Sequence, residues 1–136
     1  MHARRRPLAL PLLACGLLVA AACSRGGGAD VSPADLASRI EAGRAPLVLD
    51  VRTPAEYASG HVSGAINIPY TDVTERIGEL GADRSREVVV YCETGGRAAK
   101  AQASLQKAGF TDVRHLVGDM RGWRADHLPC DGCATP

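Results

Sequence analysis

The chain lacks a dominant charge. Its 136 residues carry 16 Lys and Arg against 15 Asp and Glu, a formal net charge of +1, which excludes the basic footprint of a general nucleic-acid binder. It also lacks the low hydrophobicity of a disordered chain: 46% of residues are apolar and 23% charged, enough to build a core. There is no internal repeat, and no low-complexity stretch beyond Gly26-Gly27-Gly28. No second cysteine pair accompanies Cys130-Asp131-Gly132-Cys133, so that motif is only half of a zinc site, with His127 as the one nearby extra ligand. The apolar run Leu8 to Ala22 is broken by Pro11 and Gly16, and at ~1.5 Å per residue it reaches about 22 Å, short of a ~30 Å hydrocarbon layer. One compact domain is expected at this length.

What is present is unevenly placed. Residues 1–22 hold 15 apolar residues and three arginines, Arg4 to Arg6, with no acid, which is the layout of a signal peptide. Without them 114 residues remain, with 13 basic against 15 acidic side chains, a net of −2. Ala20-Ala21-Ala22-Cys23-Ser24, followed by a glycine tether, resembles a bacterial lipoprotein signal. That resemblance implies a leader over 1–22, a lipidated Cys23 as the new N-terminus and a tether over 23–30. It also implies a place on the periplasmic face of a bacterial membrane, with Ser24 matching lipoproteins sent to the outer membrane. Cys15 is a second lipidation candidate, and secretion without a lipid is the alternative. Either way, downstream thiols are expected to meet an oxidising compartment.

The rest alternates between strand and helix signals. Ser32-Pro33 starts a helix with Leu36, Ala37 and Ile40 on its apolar face, closed by Gly43. Residues 47–51 and 65–68 read as strands, 72–80 as a helix ended by Gly81, and 88–91 as the strongest strand. A helix over 96–108, a strand over 113–117 and a closing turn at 120–123 follow. The alternation predicts an α/β fold, a parallel central sheet with helices on both faces. In such sheets ligands bind at the carboxyl ends of the strands, where Cys92 stands.

Cys92-Glu93-Thr94-Gly95-Gly96-Arg97 therefore reads as a reactive loop. A short loop with two glycines can turn its N–H groups inward, at the positive end of the helix that follows. Such a cradle, with Arg97 beside it, stabilises an anionic sulfur, whether a thiolate or a persulfide.

Cys-x-x-Gly-x-Arg between a strand and a helix resembles the active-site loop of the rhodanese (sulfurtransferase) family. Asp50-Val51-Arg52-Thr53-Pro54-Ala55-Glu56-Tyr57 and Gly60-His61-Val62-Ser63-Gly64-Ala65-Ile66-Asn67-Ile68-Pro69 resemble two further family motifs, and Gly118, Arg121-Gly122-Trp123 and Leu128-Pro129 resemble its usual ending. The resemblance covers about residues 30–129. It implies a single domain over 31–129 in which Cys92 takes a sulfane sulfur from a small donor and passes it to cyanide, a thiol or a protein. Cys92 and Arg97 are then the catalytic residues, and Glu93, Thr94, Gly95 and Gly96 the substrate-binding loop. No cofactor or metal is implied, no nucleic acid partner, and the protein is expected to be a monomer. A non-catalytic persulfide carrier or docking module is the alternative. Cys-based phosphatases and arsenate reductases use Cys-x5-Arg, one residue longer than the spacing here, and a thioredoxin-type site would need a cysteine at Gly95.

Asp50, Arg52 and Glu56 are expected to support the site: Asp50 as an orienting hydrogen-bond partner, Arg52 and Glu56 as an ion pair with each other. His61 reads as structural and Trp123 as a core anchor. Glu93 is expected to repel dianionic donors such as thiosulfate. Residues 130–136 read as a tail beyond the domain, with Cys130 and Cys133 forming a surface disulfide, lying in a frayed end, or acting as a redox pair for the Cys92 persulfide.

Overall fold

The computed structural model describes residues 28–134, so the leader, Cys15, Cys23 and most of the tether lie outside the described residues. The order of elements is α1 (Pro33–Glu41), β1 (Leu47–Asp50), α2 (Pro54–Ala58), β2 (His61–Val62), β3 (Ile66–Asn67), a 3₁₀ turn (Ile77–Leu80), β4 (Val88–Tyr91), α3 (Gly96–Lys107), β5 (Val113–His115), α4 (Asp119–Ala125) and β6 (Cys130–Asp131). β3, β1, β4 and β5 form a parallel sheet in that spatial order, as the alternation predicts. No helix among the described residues is long and apolar enough to cross a membrane.

Side chains of a strand point alternately to its two faces, and the buried residues divide accordingly. Leu49, Val88 and Val90 pack with Ala98, Ala101 and Leu105 of α3 on one face. Val48, Val89 and Tyr91 pack with Leu36 and Ala37 of α1 and Met120 and Trp123 of α4 on the other. β4 is buried along its whole length because it lies inside the sheet with helices above and below. Trp123 is fully buried, and its indole N–H donates to the Pro129 carbonyl at 2.9 Å, so it anchors the tail as well as the core.

Two expectations are corrected. The helix over 72–80 is a series of turns ending in the 3₁₀ turn. Glu79 bonds back to Arg76 and Gly81 to Gly78, each across three residues. Val73, Thr74, Ile77 and Gly78 all have low helix propensity, and burial of Val73 and Leu80 does not require a regular helix. Of the readings of the tail, a frayed end does not hold for residues 130–133: β6 pairs antiparallel with β2, and Asp131 accepts from Ser63 Oγ (2.7 Å) and the Gly64 N–H (3.0 Å). Cys130 and Cys133 form a disulfide.

A buried ion pair joins these parts, and it is not the expected one. Arg52 pairs with Asp50, not Glu56: its Nη2 lies 2.6 Å from Asp50 Oδ2, with the two side chains 1% and 0% exposed. Arg52 leaves β1 pointing inward, whereas Glu56 closes the capping box of α2 with Thr53 on the outside. Arg52 also donates to the Gly60 carbonyl at 2.7 Å. Asp50 accepts from the Tyr91 hydroxyl (2.7 Å), which itself accepts from the Val62 N–H (3.1 Å). Burial, with the Asp50 carboxylate beside it, pushes the Tyr91 hydroxyl far above its ordinary range, so it remains a donor. Tyr91→Phe leaves the Val62 N–H without this partner and removes one donor from Asp50. We expect a loss of about 1–3 kcal/mol, read as a lower urea midpoint at unchanged m-value.

Candidate active site

Cys92 follows β4 directly and is 1% exposed. The chain must reverse within three residues to enter α3, and Gly95 makes the reversal at φ 104°, where a side chain would be strained. The turn directs the Gly95 N–H onto the Cys92 sulfur at 3.0 Å. The sulfur thus faces the N-terminal end of α3 and accepts from that end's backbone, as the sequence of the loop implies. Thr94 and Gly96 are exposed at its rim.

Arg97, in the first turn of α3, is held by both oxygens of Glu56 at 2.7 and 2.8 Å. Glu56 holds the guanidinium well above its ordinary range, and Cys92 adds to the same effect. Reciprocally, Arg97 first and the Thr53 contacts next hold the Glu56 carboxyl far below the usual carboxylate range, against the opposing effect of burial. Glu56 is therefore the partner of the loop arginine, and Arg52 belongs to Asp50. Sequence spacing suggested an i, i+4 pair. The three-dimensional arrangement instead pairs Glu56 with Arg97 across the fold and turns Arg52 inward onto Asp50, two residues away.

Glu93 does not present a free charge. Arg124 donates to it at 2.6 and 3.2 Å, and Arg52 lies 3.4 Å away. Arg124 first, with Arg52 in addition, keeps its carboxyl low and ionised. The expected repulsion of dianions by Glu93 is thus largely cancelled by two guanidiniums.

Two further residues at this site were not found from the sequence. Asp119, 3% exposed and at φ 53°, opens α4 directly after Gly118 and accepts from the Cys92 N–H at 2.9 Å. His115, at the end of β5, bonds the same oxygen through Nε2 at 3.0 Å. That hydrogen bond raises the imidazole above its ordinary value, against partial burial. The only sequence signal was an acid following Gly118, which reads as an ordinary residue of a helix's first turn.

His61 stacks on Tyr57 with ring centroids 3.6 Å apart and bonds the Tyr57 carbonyl, as a structural residue would. The Cys130–Cys133 disulfide and Arg124 line a cavity of about 550 Å³ beside the tail. The disulfide packs on Gly60, where a Cβ would come within 2.5 Å of the Cys133 sulfur. Among the described residues, no three His, Cys, Asp or Glu side chains gather so as to hold a metal ion.

Comparison with known proteins agrees with this geometry. The family model for the Rhodanese-like domain matches residues 32–126. The chain is 34% identical over 115 residues to a probable adenylyltransferase/sulfurtransferase, MoeZ, of Mycobacterium tuberculosis, covering 85% of this chain but only 29% of that protein. It is 39% identical over 92 residues to thiosulfate sulfurtransferase 16 of Arabidopsis thaliana, covering 60% of this chain and 76% of the relative. Among solved structures, the solution structure of a rhodanese-like domain from Anabaena superposes with a TM-score of 0.69 at 32% identity, covering 79% of this chain and 83% of that one.

Two measurements test the site's construction. Gly95→Ala forces a Cβ at positive φ to within 3.1 Å of Asp119 Oδ2; we expect about 1–3 kcal/mol of destabilisation, read by chemical denaturation. The depressed Glu56 carboxyl contributes stability that is present above its unfolded value, ~4.3, and is lost as pH falls toward the folded value. Urea midpoints should therefore fall less steeply below about pH 4.5 in Glu56→Gln than in the wild type.

Proposed function

The chain belongs to the rhodanese-like domain family, and from that premise we propose that it is a sulfurtransferase with Cys92 as its nucleophile. The observation that carries this reading is the Gly95 N–H directed onto the Cys92 sulfur at the head of α3. That N–H is placed to donate to negative charge on the sulfur as the persulfide forms and breaks. The thiolate attacks the sulfane sulfur of a donor and forms a Cys92 S–S bond. The donor's bond to that sulfur breaks, and the remainder leaves with the bonding electrons (sulfite, if the donor is thiosulfate). An acceptor thiolate or cyanide then attacks the outer sulfur and returns Cys92 as thiolate, a two-step exchange on one residue.

Arg97, oriented by Glu56 and interacting with Cys92, is the residue assigned to meet the negative charge of donor and persulfide. Thr94, Gly95 and Gly96 form the rim, and the burial of Cys92 suits a slender donor end such as a single sulfur atom. Relatives named as thiosulfate sulfurtransferases support thiosulfate as one donor. Because Glu93 is paired, its carboxylate does not argue against that donor.

The same proposal has the protein exported and anchored through an acylated Cys23. The support is the arginine-led apolar leader and the small residues before Cys23. The Cys130–Cys133 disulfide is consistent with an oxidising compartment.

Intact mass of the protein isolated from a bacterial membrane fraction tests both statements. After thiosulfate treatment we expect a gain of one sulfur atom, about 32 Da, that Cys92→Ser lacks, with turnover to cyanide reduced by at least about a thousandfold. Unchanged turnover in Cys92→Ser would overturn Cys92 as the nucleophile, and a wild type with neither persulfide nor turnover would favour a docking module. A chain bearing no acyl mass at Cys23 would remove the anchor.

A further inference from the structure

We propose that Asp119 and His115 are a positioning pair whose charge state sets how readily the Cys92 site accepts an anionic sulfur donor. The inference rests on the sulfur-transfer reading above and adds to it a determinant of donor charge.

The first observation is conformational. Asp119 is a non-glycine residue at φ 53°, next to Gly118 at φ 79°. Asp tolerates the left-handed region better than most residues, yet such positions persist only where the surroundings enforce them, often at functional sites. Here the two left-handed residues return the carboxylate beneath the end of β4. Oδ1 accepts from the Cys92 N–H at 2.9 Å and from His115 Nε2 at 3.0 Å. Oδ2 faces Gly95, where a Cβ would come within 3.1 Å of it. The carboxylate thus bonds the residue that carries the sulfur and faces the residue whose N–H is donated to it.

The second observation is electrostatic. Four carboxylates stand around or beneath the loop. Asp50 is paired with Arg52, Glu56 with Arg97, and Glu93 with Arg124 and Arg52. A guanidinium does not lose its proton in the working pH range, so these charges are permanently balanced. Asp119 is balanced by an imidazole, which does titrate there.

The groups that face His115 are Asp119 from α4 and Asp30 from the segment before α1, both of which favour its charged form, while burial opposes it. The Cys92 backbone lies on the other side of the Asp119 carboxylate. Below the imidazole's raised value the pair is neutral. As pH rises through that value the imidazole loses its proton, and one negative charge remains a hydrogen bond away from Cys92. That charge disfavours the approach of a dianionic donor while leaving the arginine-balanced groups unchanged.

The test uses the full folded protein, with thiosulfate as donor and cyanide as acceptor, from about pH 5.5 to 9, a range spanning imidazole titration. Persulfide on Cys92 is first verified by intact mass, and the titration of His115 is followed by NMR. His115→Gln keeps a side-chain donor but cannot become charged. We expect the ratio of its thiosulfate KM to that of the wild type to be about five to ten below the imidazole's pKa and to fall to about one above it. Asp119→Asn, which retains an acceptor oxygen without the charge, should lower KM at the alkaline end while changing kcat less. A ratio that stays at one across the NMR-measured titration overturns this inference alone. Absence of persulfide on wild-type Cys92 overturns the sulfur-transfer reading, and this inference with it.

Discussion

The buried pair of Asp50 and Arg52 is the constraint on which the site's construction depends. Removing two opposite charges from water costs several kcal/mol per ion, and the cost is recovered only if nearly every hydrogen-bonding position is filled. Here the filling partners come from separate parts of the chain. Tyr91 brings in β4, the Gly60 carbonyl brings in the turn after α2, and Glu93 brings in the reactive loop. Asn67 donates to the carbonyls of both Asp50 and Arg52, tying β3 to the same point. No buried side-chain nitrogen or oxygen among the described residues is left without a partner. Satisfying one ion pair therefore fixes the relative positions of the elements that surround Cys92.

From that centre, contacts spread outward through shared partners. Arg52 and Arg124 converge on Glu93, which places α4 against the loop. The backbone repeats the connection, with Met120 and Arg121 donating to the carbonyls of Cys92 and Glu93. On the other side Gly60 carries both the Arg52 contact and the disulfide, so the tail is joined to the same network. The loop is thus held from β1, α2 and α4 at once. For the proposed sulfur transfer such a rigid setting matters, because the Gly95 N–H then acts without reorganisation. The charges follow the same pattern: among the described residues, Asp50, Glu56 and Glu93 are matched by guanidiniums and Asp119 by the His115 imidazole.

How much of this could be read beforehand follows from the range of each interaction. The sheet and its two cores were legible because the continuous apolar run Val88–Tyr91 and the cap at Ser32 are local consequences of residue type. The reactive loop was legible because strand, two glycines and helix must meet within six residues. The helix expected over 72–80 failed because apolar spacing does not distinguish a helix from a set of turns that buries Val73 and Leu80 equally well. The expected Arg52–Glu56 pair failed for a related reason: helical i, i+4 spacing does not reveal that Arg52 turns inward onto Asp50 while Glu56 caps α2 on the outside.

Sequence alone determined that Cys92 ends a buried strand, that a glycine turn follows it, and that a helix begins there, since each is a matter of neighbouring residues. It also carried the family's motifs at their proper spacing. Only the tertiary structure decided which charge balances which: Glu56 with Arg97, Asp50 with Arg52, Glu93 with Arg124, and Asp119 with His115 under the Cys92 amide. The Glu56–Arg97 and Glu93–Arg124 pairs close across 41 and 31 residues, and the 2- and 4-residue pairs depend on a buried inward turn and a left-handed Asp. Electrostatic partnership depends on distance through space and on burial, and neither is encoded in the order of residues until the chain has folded.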